Sequence, residues 1–308
     1  MRIGVIGAGG VGGYFGVRLA AAGNDVAFVA RGAHLEAIRH DGLRVVSGEG
    51  DVHLRQVRAS SDFSILAGSA VVLVCTKLWG LEEVAAALRP HLGEKAVVVS
   101  LQNGVDAPRI LGDALGRERV GGGIAQIGTS IMGPGVIRHV GTMARIAVGP
   151  LAQNQKQLLS EFVTRAEAAR INAVYSDEIE RLIWEKFVFL TSFSGVAALV
   201  RLGKGPIFSD PETRALYAAA VGEACAVTRA RGIALAPDHE EKLLAFTEAL
   251  PGEMKPSMLH DLEGGRRLEL PWLSGRVAQL GEELGVATPT HRFITTALKL
   301  HAMGRDLG

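Results

Sequence analysis

The chain has 308 residues, of which 48% are hydrophobic and 21% charged, with a formal net charge of +1. That length accommodates two domains with ample core, and the near-neutral balance, without a Lys/Arg tract, speaks against a nucleic-acid or anionic-membrane partner. No uninterrupted apolar window of about eighteen residues marks a membrane span. Cys75 and Cys225 lie in apolar surroundings without CxxC spacing, which reads as two core thiols rather than a disulfide or metal pair.

In chain order, Ile3, Val5 and Ile6 form a short buried strand that runs into Gly7-Ala8-Gly9-Gly10-Val11-Gly12. Apolar and small residues then recur at helical spacing to Ala22. Strand, glycine turn and helix in that order are the setting in which GxGxxG signals a dinucleotide site. Gly7 permits the tight turn, Gly9 leaves room for a diphosphate, and Gly12 lets helix and strand pack closely. The same glycine density and first βα unit argue against a signal peptide here. Asp25 to Ala30 reads as the second strand and ends at Arg31, nineteen residues past Gly12. An acid near that place binds the ribose of NAD, whereas an arginine suits the 2′-phosphate of NADP. The alternative for Arg31 is a loop-capping surface residue.

Leu43 to Val57 is compatible with a hairpin that turns at Gly48-Glu49-Gly50. Ala70 to Cys75 and Ala96 to Ser100 are continuous apolar strands, the first followed by Thr76-Lys77 and the second by Gln102-Asn103-Gly104. All-apolar runs alternating with helices indicate a parallel sheet covered on both faces, with ligands at the C-terminal strand ends. Arg31, Lys77 and Asn103 all fall there, although each alone is compatible with an ordinary loop residue. Gly133-Pro134-Gly135 is a turn, with Val136 to His139 and Arg145 to Val148 as returning strands. His139 reads as a strand-face histidine rather than a catalytic one. Gln153 to Ala169 is an amphipathic helix and Ile171 to Tyr175 a last strand.

Strand-turn-helix units cease after Ser176, which divides the chain into residues 1–175 and 176–308. Asp177 to Arg201 reads as one long helix with Asp177 near its cap. No charge occurs from Phe187 to Val200, so this helix is expected to be buried. Lys186 stands at the edge of that run. Either it snorkels to the surface, or it lies in a partly dry cleft where desolvation lowers its pKa into a useful range. Further helices are read at Asp210–Ala230, with Gly232 as C-cap residue, at Pro237–Ala249, and from His291 to Met303. HExxH, GxSxG and GxxxxGK[ST] are all absent, so metal hydrolysis, triad hydrolysis and P-loop chemistry have no support and no metal site is expected.

Along essentially its whole length the sequence resembles the ketopantoate (2-dehydropantoate) 2-reductases. The residues that carry the resemblance are Gly7-Ala8-Gly9-Gly10-Val11-Gly12, Arg31, Thr76-Lys77, Asn103-Gly104, Pro134-Gly135, Trp184-Glu185-Lys186, Ser257-Met258-Leu259, and Arg267-Leu268-Glu269 with Gly275. The resemblance implies an α/β Rossmann-like N-terminal domain that carries NADPH and an all-helical C-terminal domain of 6-phosphogluconate-dehydrogenase-like architecture, with a cleft for a small 2-oxo acid. It implies that Lys186 is the proton donor and that Asn103 and Lys77 line the nicotinamide end. It further implies that Ser257 meets the substrate carboxylate and that Glu269 orders substrate or cofactor. The implied enzyme is cytoplasmic and serves pantothenate biosynthesis.

Other members of that family grip a polar substrate with asparagines at places where this chain has Leu190, Ser194, Lys204 and Met254. Only Ser194 keeps a short hydrogen-bonding group. The choice of 2-oxo acid therefore stays open: 2-dehydropantoate comes first, then another branched or aromatic oxo acid, or an opine-type substrate. A non-catalytic NADP-binding sensor is the alternative from another class, against which the retained Lys186, Asn103 and Glu269 stand. The apolar C-terminal helices are compatible with a homodimer, and no pattern fixes the oligomeric state.

Overall fold

A computed structural model describes residues 1–305 and divides into two compact units. The first comprises Met1–Gln102 and Asp106–Glu180; the second comprises Asn103–Val105 and the described residues 181–305.

In the first unit β1 (Arg2–Ile6), α1 (Gly10–Ala21), β2 (Asp25–Val29) and α2 (Gly32–Asp41) open the fold. The hairpin β3 (Leu43–Val46) and β4 (Val52–Leu54) follows, then β5 (Arg58–Ser60), β6 (Val71–Val74), α3 (Leu81–Leu88), β7 (Val97–Ser100) and α4 (Ala107–Leu115). Two long strands, β8 (Val120–Gly133) and β9 (Val136–Gly149), then α5 (Lys156–Ala168) and β10 (Asn172–Tyr175) complete it. The ten-stranded sheet has the order β4-β3-β9-β8-β7-β6-β1-β2-β5, with β10 added beside β9. Its centre, β8-β7-β6-β1-β2, is parallel, while β8–β9 and β3–β4 are antiparallel. The central strands are buried on both faces, as continuous Val/Ile/Leu runs require.

One expected break proves to be a bulge. The interruption read between His139 and Arg145 is absent, because β9 runs unbroken from Val136 to Gly149. Ile127 pairs with Ala144 and Gly128 with Val140, so three residues of β9, Gly141 to Met143, have no opposite number. Gly141 takes φ +78° there, which glycine adopts without a steric cost. His139 is a buried strand residue whose Nδ1 accepts from Ser47 Oγ at 2.8 Å, while its Nε2 lies 3.1 Å from the Met143 carbonyl oxygen. Two helices that the sequence reading passed over, α2 and α4, cover the sheet.

The second unit is helical: α6 (Ile179–Val200), α7 (Lys204–Ser209), α8 (Pro211–Ala230), α9 (His239–Glu248), α10 (Ser257–Glu263), α11 (Ser274–Leu284) and α12 (Pro289–Leu298). Asp210 caps α8 by accepting from Thr213 N at 2.8 Å, and Gly232 beyond its end has φ +90°. Asp177 stands two residues before α6. It pairs with Lys156 Nζ at 2.9 Å and accepts from Tyr175 Oη at 3.1 Å. By length and mean hydropathy α6 meets the requirement for a membrane span, yet 67% of its most apolar window is buried inside the fold, as in the core helix of a helical domain. Phe187, Val188, Phe193 and Val196 pack there with Tyr217, Val221 and Val277. At ~1.5–3 kcal/mol per large buried apolar side chain, this core readily outweighs the cost of holding one lysine along the same helix. Both cysteines are free, and burial pushes each thiol up to about 12, which keeps them protonated and inert.

Candidate active site

The glycine turn is built as its spacing anticipates. Gly7 has φ +93°, and its N–H donates to the Val29 carbonyl at 2.9 Å. A Cβ on Gly12 would stand 2.2 Å from the Gly7 carbonyl oxygen and 2.9 Å from Val5 Cγ1, so α1 packs on β1 only with glycine there. A Cβ on Gly9 would meet nothing nearer than Ile131 Cδ1 at 3.8 Å, which leaves room above the loop. Gly9 caps α1 without a side-chain hydrogen bond, and no acid stands in the first turn. The free N–H groups and the positive dipole end at Gly10 and Val11 therefore favour an anion. The segment Gly7-Ala8-Gly9-Gly10-Val11-Gly12 fits a dinucleotide diphosphate.

Arg31 stands two residues past β2 and is the extended N-cap residue of α2. Its guanidinium is exposed and makes no ion pair or hydrogen bond among the described residues. Lys77 precedes the short turn Leu78–Gly80 after β6, and its Nζ lies 5.8 Å from the Trp79 ring centroid. Gln102 ties the ends of β6 and β7 together, donating from Nε2 to the Thr76 carbonyl at 2.9 Å while its own Oε1 accepts from Ser100 Oγ at 3.0 Å.

Three residues far apart in sequence meet in the helical unit. Lys186 Nζ donates to Asn103 Oδ1 at 3.2 Å, and Asn103 Nδ2 donates to Glu269 Oε2 at 3.3 Å. An ammonium only donates and a carboxylate only accepts, so the Asn103 amide has one workable orientation between them. Lys186 projects from the second turn of α6, and Glu269, only 3% exposed, precedes the turn Leu270–Trp272. Desolvation pulls the Lys186 pKa down from 10.5 to about 8, against the attraction of the Glu269 charge, which raises it. The displacement costs the charged form on the order of 3 kcal/mol. Lys186 is thus a cation at neutral pH that gives up its proton readily. Of the two sequence readings for Lys186, the partly dry environment is the observed one.

The other anticipated residues do not join this trio. Ser194, two turns beyond Lys186 on α6, is fully buried, and its Oγ has no hydrogen-bond partner among the described residues. A buried hydroxyl left that way costs about 1–3 kcal/mol. Ser257 is exposed at the first position of α10. Lys204 N donates to the Met254 carbonyl at 3.0 Å, which sets two of the unusual positions side by side, and Lys204 Nζ lies 5.8 Å from the Phe208 ring centroid.

Residues 3–153 match the sequence model of ketopantoate reductase PanE/ApbA, and residues 178–302 match that of its C-terminal domain. The chain belongs to the ketopantoate reductase family. The 2-dehydropantoate 2-reductase of Mesorhizobium japonicum is 31% identical, with 94% of each chain aligned. The uncharacterized oxidoreductase YkpB of Bacillus subtilis is 28% identical, over 98% of this chain and 99% of its own. Among solved structures, the 2-dehydropantoate 2-reductase of Geobacter metallireducens superposes with a TM-score of 0.90 at 31% identity, covering 97% of this chain and 99% of that one. As a ketopantoate reductase family member the chain is an oxidoreductase acting on a CH–OH group, and the family is NAD(P)-dependent. Family membership agrees with the architecture, a Rossmann-like sheet domain followed by a helical domain. The sequence reading missed the roles of Gln102, which bonds Ser100 and Thr76, and of His34, whose partners are backbone groups that no motif encodes.

Proposed function

We propose that this protein is a cytoplasmic NADPH-dependent reductase of 2-oxo acids, with 2-dehydropantoate as first substrate and (R)-pantoate as product. The observation that carries the reading is the Lys186–Asn103–Glu269 chain, with its lysine displaced to about 8. Reduction of a carbonyl builds negative charge on oxygen, and the site must neutralise it and supply a proton. Lys186 Nζ does both. Asn103 holds that ammonium at a fixed point, and Glu269 offsets part of its desolvation so that it stays charged at neutral pH.

The glycine loop Gly7–Gly12 would hold the cofactor diphosphate, and the unpartnered, exposed guanidinium of Arg31 supports a 2′-phosphate, hence NADP. Lys77 would stand near the nicotinamide. When bound, the nicotinamide supplies the hydride, and this chain supplies orientation and the proton. Ser257, free in solvent at the start of α10, would meet the substrate carboxylate. The unpartnered Oγ of Ser194 supports a hydrogen bond to substrate there.

A second reading follows from the adjacency of Lys204 and Met254 together with Leu190. A site with apolar groups in place of amides leaves the hydroxyl of 2-dehydropantoate fewer partners and favours a less polar oxo acid. Discrimination is steepest where a buried polar partner is missing. Both readings are tested by following NADPH and NADH oxidation with a panel of branched, aromatic and hydroxylated 2-oxo acids. Fast turnover of 2-dehydropantoate with NADPH upholds the first reading. Faster turnover of an apolar oxo acid selects the second. Tight NADPH binding with no turnover of any member points instead to a cofactor sensor.

A further inference from the structure

His34 lies in the first turn of α2, three residues after Arg31, and both of its ring nitrogens are engaged by backbone. The Gly135 N–H donates to Nδ1 at 3.1 Å. A backbone N–H can only donate, so Nδ1 is the acceptor and the ring proton sits on Nε2. That Nε2–H donates to the Ala8 carbonyl at 2.8 Å. Ala8 is the second residue of the glycine loop, and Gly135 closes the turn between β8 and β9.

The turn is itself anchored. The Gly135 carbonyl accepts from Arg44 N at 2.9 Å, and Gly135 has φ +74° with Ala37 of α2 close by. A second contact from the same hairpin reaches the loop: a Cβ on Gly10 would lie 2.5 Å from Thr129 Oγ1. The long β8–β9 hairpin therefore backs the phosphate loop at two points, at Gly10 through Thr129 and at Ala8 through His34.

The Ala8 carbonyl oxygen is held by His34 at 2.8 Å, and the Gly9 carbonyl accepts from Gly13 N at 2.6 Å. With both oxygens committed, the N–H groups that follow are left as the loop's open backbone partners. We propose that His34 is a positioning residue for the cofactor, which holds the Ala8 carbonyl against α2 and the Gly135 turn and so keeps the glycine loop shaped for a dinucleotide diphosphate. This rests on the nicotinamide-cofactor reading above. His34 touches neither the diphosphate nor the reacting atoms. It acts through Ala8, and because Arg31 begins the same helix, it joins the two ends of the adenylate site.

Two substitutions separate the two arms. His34→Gln can keep a donor at the Nε2 position toward Ala8, whereas His34→Asn keeps an acceptor at the Nδ1 position toward Gly135 and loses the donor. Each variant, with His34→Ala and the wild type, is titrated with NADPH and NADH by fluorescence, assayed for kcat and KM, and melted without cofactor. The expected result is a Kd and KM for NADPH raised about tenfold in His34→Ala and His34→Asn, on the scale of losing one well-placed hydrogen bond. The kcat at saturating cofactor should stay within about threefold, and His34→Gln should bind close to the wild type. Variants that melt at lower temperature but bind NADPH as the wild type does would overturn the inference, leaving His34 a fold staple only. So would a His34→Gln no better than His34→Ala. A wild type that binds neither NADPH nor NADH overturns the cofactor reading itself, and its own titration distinguishes that failure from the other two.

Discussion

The Lys186 ammonium reaches the Asn103 amide oxygen across 3.2 Å, although the two residues stand 83 positions apart in the chain. The lysine belongs to the helical unit by sequence. The asparagine belongs there by structure, since Asn103–Val105 leaves the end of β7 and joins the helices, where Val105 packs on the helical core.

The first prediction concerns pH. Desolvation holds Lys186 near 8, below its ordinary 10.5. With protonated Lys186 as the proposed acid for reduction, kcat/KM for the oxo acid should be flat below about pH 8 and fall tenfold per pH unit above it. Oxidation of the hydroxy acid needs the free amine and should fall on the acid side of the same value. A Lys186→Ala profile that keeps the same limb would assign the titration to another group.

Stability carries the same sign. The folded pKa lies below the unfolded one, so the unfolded chain binds more protons between pH 8 and 10.5, and the burial cost is present in full below that window. Lys186→Met should raise stability at neutral pH by up to ~3 kcal/mol, and the gain should vanish as pH climbs past 10.5. Urea melts at two pH values measure it.

Removing the bridging amide should hurt more than removing bulk. Asn103→Ala strips the acceptor from Lys186 and the donor from Glu269 together, leaving two partly desolvated charges without their linker. We expect kcat to drop by roughly a hundredfold, the scale of a misplaced acid. Asn103→Asp should restore less than half of the loss in logarithmic terms, because its second oxygen cannot donate to Glu269. Steady-state kinetics with saturating NADPH decide this.

The proposed preference for NADPH rests on Arg31. With that exposed, unpaired guanidinium at the end of β2, Arg31→Ala should raise the KM for NADPH by about ten- to a hundredfold and leave the KM for NADH nearly unchanged. Equal losses for both cofactors would remove the 2′-phosphate from its role.

The glycine loop offers a steric test. Gly12→Ala places a methyl 2.2 Å from the Gly7 oxygen with backbone on that side, so α1 cannot stay seated on β1. Loss of soluble protein, or of dinucleotide binding, is the expected outcome in expression and titration. Normal binding would mean that the helix can shift without consequence.

The first unit was legible because its signals are local. Glycine spacing, all-apolar strands and Arg31 at a strand end each encode their own geometry within about thirty residues. The second unit showed its helices but not their meeting points. Asn103, Lys186 and Glu269 converge through packing that no periodicity records. The residue pattern alone offered a lysine at the margin of an uncharged helical run and left its environment undecided, and only the family resemblance named all three residues. The continuous β9 and His34 escaped for a related reason: a bulge at Gly141 looks like a turn in sequence, and a histidine bonded only to backbone follows no motif.

The central claim is that Lys186 supplies the proton for cofactor-dependent reduction of a 2-oxo acid. The most direct measurement compares wild type and Lys186→Ala for NADPH affinity by fluorescence and for 2-dehydropantoate turnover by loss of NADPH absorbance. We predict unchanged affinity within about threefold and turnover reduced by at least about a thousandfold, with small primary amines restoring part of it. A Lys186→Ala enzyme that binds NADPH and still reduces the oxo acid at near wild-type rate would contradict the account.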